Sequence, residues 1–185
     1  VRAAHYDCNE AEINPYLELE KRIAAAFATA EKLLGITIRQ HDDVVAYHPD
    51  VRVFEVLNAE GDRIAVFLGD YFARSSKRSG AWMSSFQDQH RLAGETGDQA
   101  QIPFVINVMN FAKAAAGQTV LITMDDARTL FHEFGHALHG MLSNVNYPSI
   151  SGTSVSRDFV ELPSQQFEHW LTVPPILQKY AVHYE

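Results

Sequence analysis

Residues 130–139 read Leu130-Phe131-His132-Glu133-Phe134-Gly135-His136-Ala137-Leu138-His139, and three of them can do chemistry together. On a helix turning ~100° per residue, His132 and His136 project from nearly one face, one turn apart. Two imidazoles so placed can hold one tetrahedral ion. A carboxylate between them, Glu133, can take a proton from water that the ion activates. The chemistry implied is hydrolysis at a zinc site, with His132 and His136 as ligands and Glu133 as general base. A pair of core histidines is the competing reading. It gives no reason for a glutamate set between them on so apolar an element.

Such a site needs a third protein ligand. His139 fails on geometry, because it is displaced ~10.5 Å along the axis from His132 and makes a row rather than a cup. A third histidine in the pattern His-Glu-x-x-His-x-x-Gly-x-x-His is also missing: the glycine, Gly140, comes one residue late, and Asn144 stands near the place of the last histidine. Downstream, Glu161 follows His136 by 25 residues across a connection rich in glycine and serine. As a ligand it would complete a His₂Glu set and leave one position open. As the end of Asp158-x-x-Glu161 it would merely close a capping box at a helix start. Spacing alone does not choose between the two. Asp158 and Glu168 are candidates for orienting a ligand imidazole, although an ordinary cap and an exposed helix acid are the simpler readings.

The elements that must position these residues follow from periodicity. Leu130, Phe131, Phe134, Ala137, Leu138, Met141 and Leu142 form a wide apolar stripe, and Thr123 with Asp126 suits a helix start. Upstream, Asn14, Pro15 and Gly35 bracket a scaffold helix over 15–34, whose Ala24-Ala25-Ala26 run implies close packing. Residues 51–57 and 63–68 flank a turn and predict a hairpin. Residues 102–109 predict another strand, and 87–101 a polar exposed loop. His41 and His48 have no ligand-spaced partners. Arg74, Lys77 and Arg78 read most simply as a solvated basic patch, with pairing to Asp70 or to a substrate carboxylate as the alternative. Gly80, Ala81 and Trp82 could open a strand against which substrate backbone lies by edge addition, since small residues leave the edge accessible.

Composition narrows the function classes. The chain has 185 residues, a formal charge of −8 and 46% apolar residues, which describes one globular core. Surfaces for nucleic acid or anionic membranes need clustered Lys and Arg, so neither partner is expected. No apolar run approaches the ~20 residues of a bilayer span. The single cysteine, Cys8, cannot form an internal disulfide, which suits a cytoplasmic location.

Beyond these local readings, His132–His139, Ser151-Gly152-Thr153 and Arg157-Asp158-Phe159-Val160-Glu161-Leu162-Pro163-Ser164-Gln165 together resemble the thimet oligopeptidase family of zinc peptidases. Gly80-Ala81-Trp82-Met83 and Glu168-His169-Trp170 are most similar to its bacterial peptidyl-dipeptidase branch. The resemblance implies Zn2+ held by His132, His136 and Glu161, Glu133 as base, and short peptides as substrates, with dipeptides released from the carboxyl end. It also implies an α+β, zincin-like fold: mostly helical, with a small, mainly antiparallel sheet beside two metal-bearing helices. Family members are longer, and a downstream helical portion supplies tyrosines and a histidine to the transition state. Residues 1–185 are therefore expected to be a single domain, a catalytic-core fragment of a larger peptidase that binds zinc but turns over feebly. An endo-acting oligopeptidase of the same family is the nearest alternative. A non-catalytic peptide-binding module or a structural zinc protein would leave Glu133 without a purpose.

Overall fold

The computed structural model describes residues 10–92 and 100–185. Cys8 and the 93–99 part of the expected polar loop lie outside the described residues. The order is α1 (Glu10–Ile13), a 3-10 turn (Asn14–Tyr16), α2 (Leu19–Leu34), β1 (Thr37–His41), β2 (Arg52–Leu57), β3 (Arg63–Phe72), β4 (Trp82–Gln87), β5 (Phe104–Phe111), α3 (Met124–Met141), α4 (Leu162–Glu168) and α5 (Pro174–Tyr180). Helix exceeds strand, though neither accounts for most of the chain. No helix among the described residues is long and apolar enough to cross a membrane.

The scaffold helix starts later than Asn14 and Pro15 predict. Those two residues form the separate 3-10 turn. The chain is then drawn out, because Leu19 donates to the Val120 carbonyl and Ile122 donates to that of Leu17, both at 2.9 Å. These bonds tie the start of α2 to the lead-in of α3. Gly35 ends α2 in the left-handed region, as a C-terminal glycine should. Ala25, Ala26 and Ala30 are fully buried, which allows the close packing the alanine run implies.

The hairpin forms as β2 and β3, with Asn58–Asp62 as its turn. The five strands run β1-β2-β3-β5-β4. This sheet is mixed rather than antiparallel: β5 lies parallel to β3 and antiparallel to β4. The chain leaves β3, runs back as β4 at the edge, and later returns to place β5 in the gap. β5 is buried from Val105 to Met109, as suits an interior strand with a parallel neighbour.

One polar cluster fastens the end of the parallel pair. Asp70, 1% exposed, takes a bidentate bond from Arg74 (2.6 and 2.7 Å), the Tyr47 hydroxyl at 2.6 Å and Lys77 Nζ at 2.8 Å. Lys77 Nζ also donates to the carbonyls of Phe72 (2.6 Å) and Met109 (2.7 Å), bridging β3 to β5 near their register shift. Burial pushes the Asp70 carboxyl up, but these donors outweigh it and hold the group at about 2. The solvated reading of Arg74 and Lys77 is therefore wrong. A buried carboxylate needs its charge matched, and these two cations match it.

Helices α2 and α3 cover one face of the sheet. Phe134 lies at their meeting point, its ring centroid 5.2 Å from Phe27, 5.3 Å from Phe67 and 5.8 Å from Phe167. The residue between Glu133 and Gly135 is thus an anchor in the aromatic core. It fixes which face of α3 the flanking motif presents.

Candidate metal centre

The motif helix is well defined at its start. The Thr123 hydroxyl accepts from the Asp126 N–H at 3.0 Å, and the Asp126 carboxylate accepts from the Thr123 N–H at 3.1 Å, a closed capping box. Its buried stripe runs through Ala127, Leu130, Phe131, Phe134, Ala137, Leu138 and Met141. With that stripe inward, the His132 and His136 rings stand side by side with centroids 4.8 Å apart and planes at 85°.

The third donor comes from α4. Glu161 stands at the N-cap position of that helix and makes no capping bond with its side chain, so the capping-box reading fails. Its Oε2 instead lies 3.1 Å from His136 Nε2 and 3.3 Å from His132 Nε2. Four ligands at ~2.05 Å from a tetrahedral ion are about 3.3 Å from one another. The carboxylate oxygen therefore sits at the separation a shared ion requires. All three donor atoms lie within 4.8 Å of one another, and no other His, Cys, Asp or Glu joins the group among the described residues. The donor set fits a metal ion.

Neighbouring groups orient these donors. Glu168 Oε1 is 2.6 Å from His132 Nδ1, so it is no idle exposed acid. A proton held on Nδ1 by that bond leaves the Nε2 lone pair free for a cation. The Ser164 hydroxyl, fully buried, donates at 2.9 Å to both the Glu161 carbonyl and its Oε2. Burial pushes the Glu161 carboxyl up, but the Ser164 bond and the two imidazoles hold it below its ordinary value. Asp158 has no hydrogen bond to either imidazole among the described residues and is exposed.

Gly135 decides how close α4 can come. A Cβ there would lie 2.7 Å from Ser164 Cα, 2.9 Å from the Pro163 carbonyl oxygen and 3.0 Å from Phe167 Cβ. Only glycine lets the backbone of α4 rest on α3 at the level of the histidines. Sequence reasoning missed both Gly135 and Ser164. A glycine inside a well-formed helix costs about 1 kcal/mol against alanine, which is a signal of close approach. Ser164 carries no comparable signal.

Glu133 is buried, and its Oε2 has no hydrogen-bond partner among the described residues. Burial, with Glu161 nearby, raises its carboxyl above the ordinary range, against the lowering influence of His132 and the Met83 N–H. A buried carboxylate with a raised affinity for protons is suited to accept one. His139 lies a turn further along. Its imidazole is pushed down by burial, and among the described residues its Nδ1 has no hydrogen-bond partner and it stays outside the cluster.

Gly80 and Ala81 lead into β4, and the Trp82 side chain lies with those of Ser84, Phe86, Ile106 and Val108 on the sheet face turned away from the motif helix. Gly80 turns the chain at φ 92°, Trp82 opens β4, and β4 has β5 on one flank only, which leaves an edge. Met83 packs toward Gly140 of α3, so that edge runs over the motif helix.

Known proteins resemble this chain over its whole length. The profile of Peptidase family M3 matches residues 1–185. The chain is 45% identical over 186 residues to the dipeptidyl carboxypeptidase of Escherichia coli (strain K12), covering 100% of this chain and 26% of that protein. It is 38% identical over 181 residues to oligopeptidase A of the same organism, covering 97% of this chain and 26% of the relative. Against the organellar oligopeptidase A of Arabidopsis thaliana the identity is 36% over 188 residues, covering 100% and 24%. The chain thus spans about a quarter of the length of these relatives.

Proposed function

This chain belongs to peptidase family M3, and we propose that it carries the zinc-binding and proton-transfer centre of a peptidyl-dipeptidase acting on short peptides. The observation that carries the reading is the 3.1 and 3.3 Å approach of one Glu161 oxygen to the two imidazole Nε2 atoms, with Glu133 between the histidines. His132, His136 and Glu161 would hold zinc through three protein ligands, the arrangement of catalytic rather than structural sites. When bound, such an ion polarises the scissile carbonyl and lowers the pKa of water toward neutrality.

The chain's own residues do the rest. Glu133 accepts the proton of the attacking water on its carboxylate and holds it there, shielded from solvent. It then delivers that proton to the amine nitrogen as the C–N bond breaks. Glu168 keeps His132 in one tautomer, and Ser164 keeps the Glu161 oxygen turned toward the imidazoles. The free edge of β4 pairs with substrate backbone and sets the carbonyl beside Glu133. The relatives named dipeptidyl carboxypeptidase and oligopeptidase A support peptides as the substrate class. The higher identity to the former favours dipeptide release over endo-cleavage.

The test is metal content of the purified chain beside His136→Ala and Glu161→Ala. One equivalent of zinc is expected, with loss in both variants; full retention by Glu161→Ala would overturn the assignment. Glu133→Gln should keep zinc and lose hydrolysis, whereas a non-catalytic peptide-binding module would be indifferent to it. For the isolated chain, turnover far below that of a full-length peptidase is expected. Loss of one transition-state donor typically costs ~10²–10³ in rate.

A further inference from the structure

Glu161 has to be brought back to the histidines across 25 residues, and its side chain is half exposed. The contact at Gly135 sets the distance between α3 and α4 rather than the course of the chain that leads into α4. That course is pinned three times. Gln89, 5% exposed, accepts from the Val145 N–H at 2.7 Å just after α3 ends. The Ser143 hydroxyl then bridges two segments, accepting from the Gly152 N–H at 2.6 Å and donating to the His139 carbonyl at 3.1 Å. Gly152 takes φ 54°, and a Cβ there would lie 3.1 Å from Gly140 Cα, so the loop is pressed on helix backbone. Last, the Phe159 ring meets that of His139 edge to face, with centroids 6.2 Å apart. From Phe159 onward the chain has little slack. The Phe159 and Val160 N–H groups both donate to the Ser156 carbonyl (2.9 and 3.2 Å), and the Leu162 N–H donates to that of Phe159 at 2.9 Å. Holding Phe159 therefore holds the residue two places on.

We propose that the end of the motif helix docks the returning chain, with His139 and Ser143 as positioning residues that bring Glu161 to the imidazoles, an assignment that rests on the metal reading above. Neither residue belongs to the donor group among the described residues. Ser143 acts through one bridging hydroxyl. His139 acts through the surface of its ring: Nδ1 is buried and has no hydrogen-bond partner among the described residues, so the contact with Phe159 uses the imidazole as an aromatic plate. One helix thus serves the site twice. Its middle turns present two donors, and its end determines where the third arrives.

The experiment is zinc affinity by competition with a chromophoric chelator, beside amide hydrogen exchange of the metal-free chain. His139→Ala and Ser143→Ala should each weaken zinc binding about tenfold, and speed exchange at Phe159 and Gly152 respectively by a similar factor. His139→Phe keeps a ring and discards the imidazole nitrogens, while Ser143→Thr keeps the hydroxyl; both should stay within about twofold of the parent. Phe159, 46% exposed, tolerates truncation, so Phe159→Ala tests the same ring contact should His139→Ala fail to fold. Unchanged zinc affinity in both alanine variants overturns the dock, even where urea denaturation shows a loss of stability, because the contacts would then be merely structural. A His139→Phe chain that loses zinc as fully as His139→Ala also overturns it, since the imidazole would then be acting chemically. A parent chain that takes up no zinc strikes the metal reading instead. Exchange still decides the dock in that case, and unchanged rates at Gly152 and Phe159 in the alanine variants overturn it.

Discussion

Gly135→Ala adds one methyl group where α3 and α4 touch, and its consequence for the metal site can be worked out. The new Cβ would start 2.7 Å from Ser164 Cα, 2.9 Å from the Pro163 oxygen and 3.0 Å from Phe167 Cβ. Carbon atoms rest at about 3.5–4.0 Å, so α4 must retreat by roughly 1 Å. Two of the obstructing groups are backbone and cannot turn aside. Overpacking of this kind costs about 1–3 kcal/mol, while alanine in place of glycine in a helix returns about 1 kcal/mol. The metal-free chain should therefore lose at most about 2 kcal/mol and still fold. Zinc affinity should suffer far more, because Glu161 immediately precedes α4 and metal–ligand distances tolerate only about ±0.2 Å. A fall of at least about 10–100-fold is expected, the range for disturbing the surroundings of a ligand. Competition with a chromophoric chelator measures the affinity, and urea denaturation of the metal-free protein measures stability. Gly140→Ala is the control: its nearest obstruction, at 2.6 Å, is the mobile end of Met83 rather than α4. Zinc affinity within twofold of the parent in Gly135→Ala would refute the claim that this glycine sets the ligand distance.

Other outcomes follow from the same contacts. Glu168→Gln, which removes the charge facing His132 Nδ1, should weaken zinc binding about 10–100-fold in the same chelator assay, whereas an exposed helix acid would leave it unchanged. Asp70 gives a pH signature. Its folded-state carboxyl lies at about 2 against an ordinary 3.8, so its contribution is complete above about pH 4 and fades as the pH falls toward 2. The contribution is about 2 kcal/mol. Denaturation of metal-free protein between pH 5 and 2 should show a shallower loss in Asp70→Asn than in the parent, and parallel curves would count against the cluster. Trp82→Pro, assayed where peptide turnover is measurable, should raise KM without releasing zinc; an unaltered KM would remove β4 as the substrate strand.

What could be known before folding was what depends on near neighbours. His132 and His136 share a face because a helix repeats every 3.6 residues, and Thr123 with Asp126 closes the start of that helix within one turn. The β2–β3 hairpin is local in the same sense, since a five-residue turn joins its strands. Glu161 is different. Spacing allows it to be either cap or ligand, and the family resemblance implies the ligand. Its placement against the imidazoles comes from the contact of α4 with α3 at Gly135, between segments remote in sequence. The parallel pairing of β3 with β5, the burial of Lys77 against Asp70 and the bond from Glu168 to His132 have the same origin. Periodicity specifies which face of an element is apolar. Only packing determines which other face it meets, and at this site a single missing Cβ sets how closely they meet.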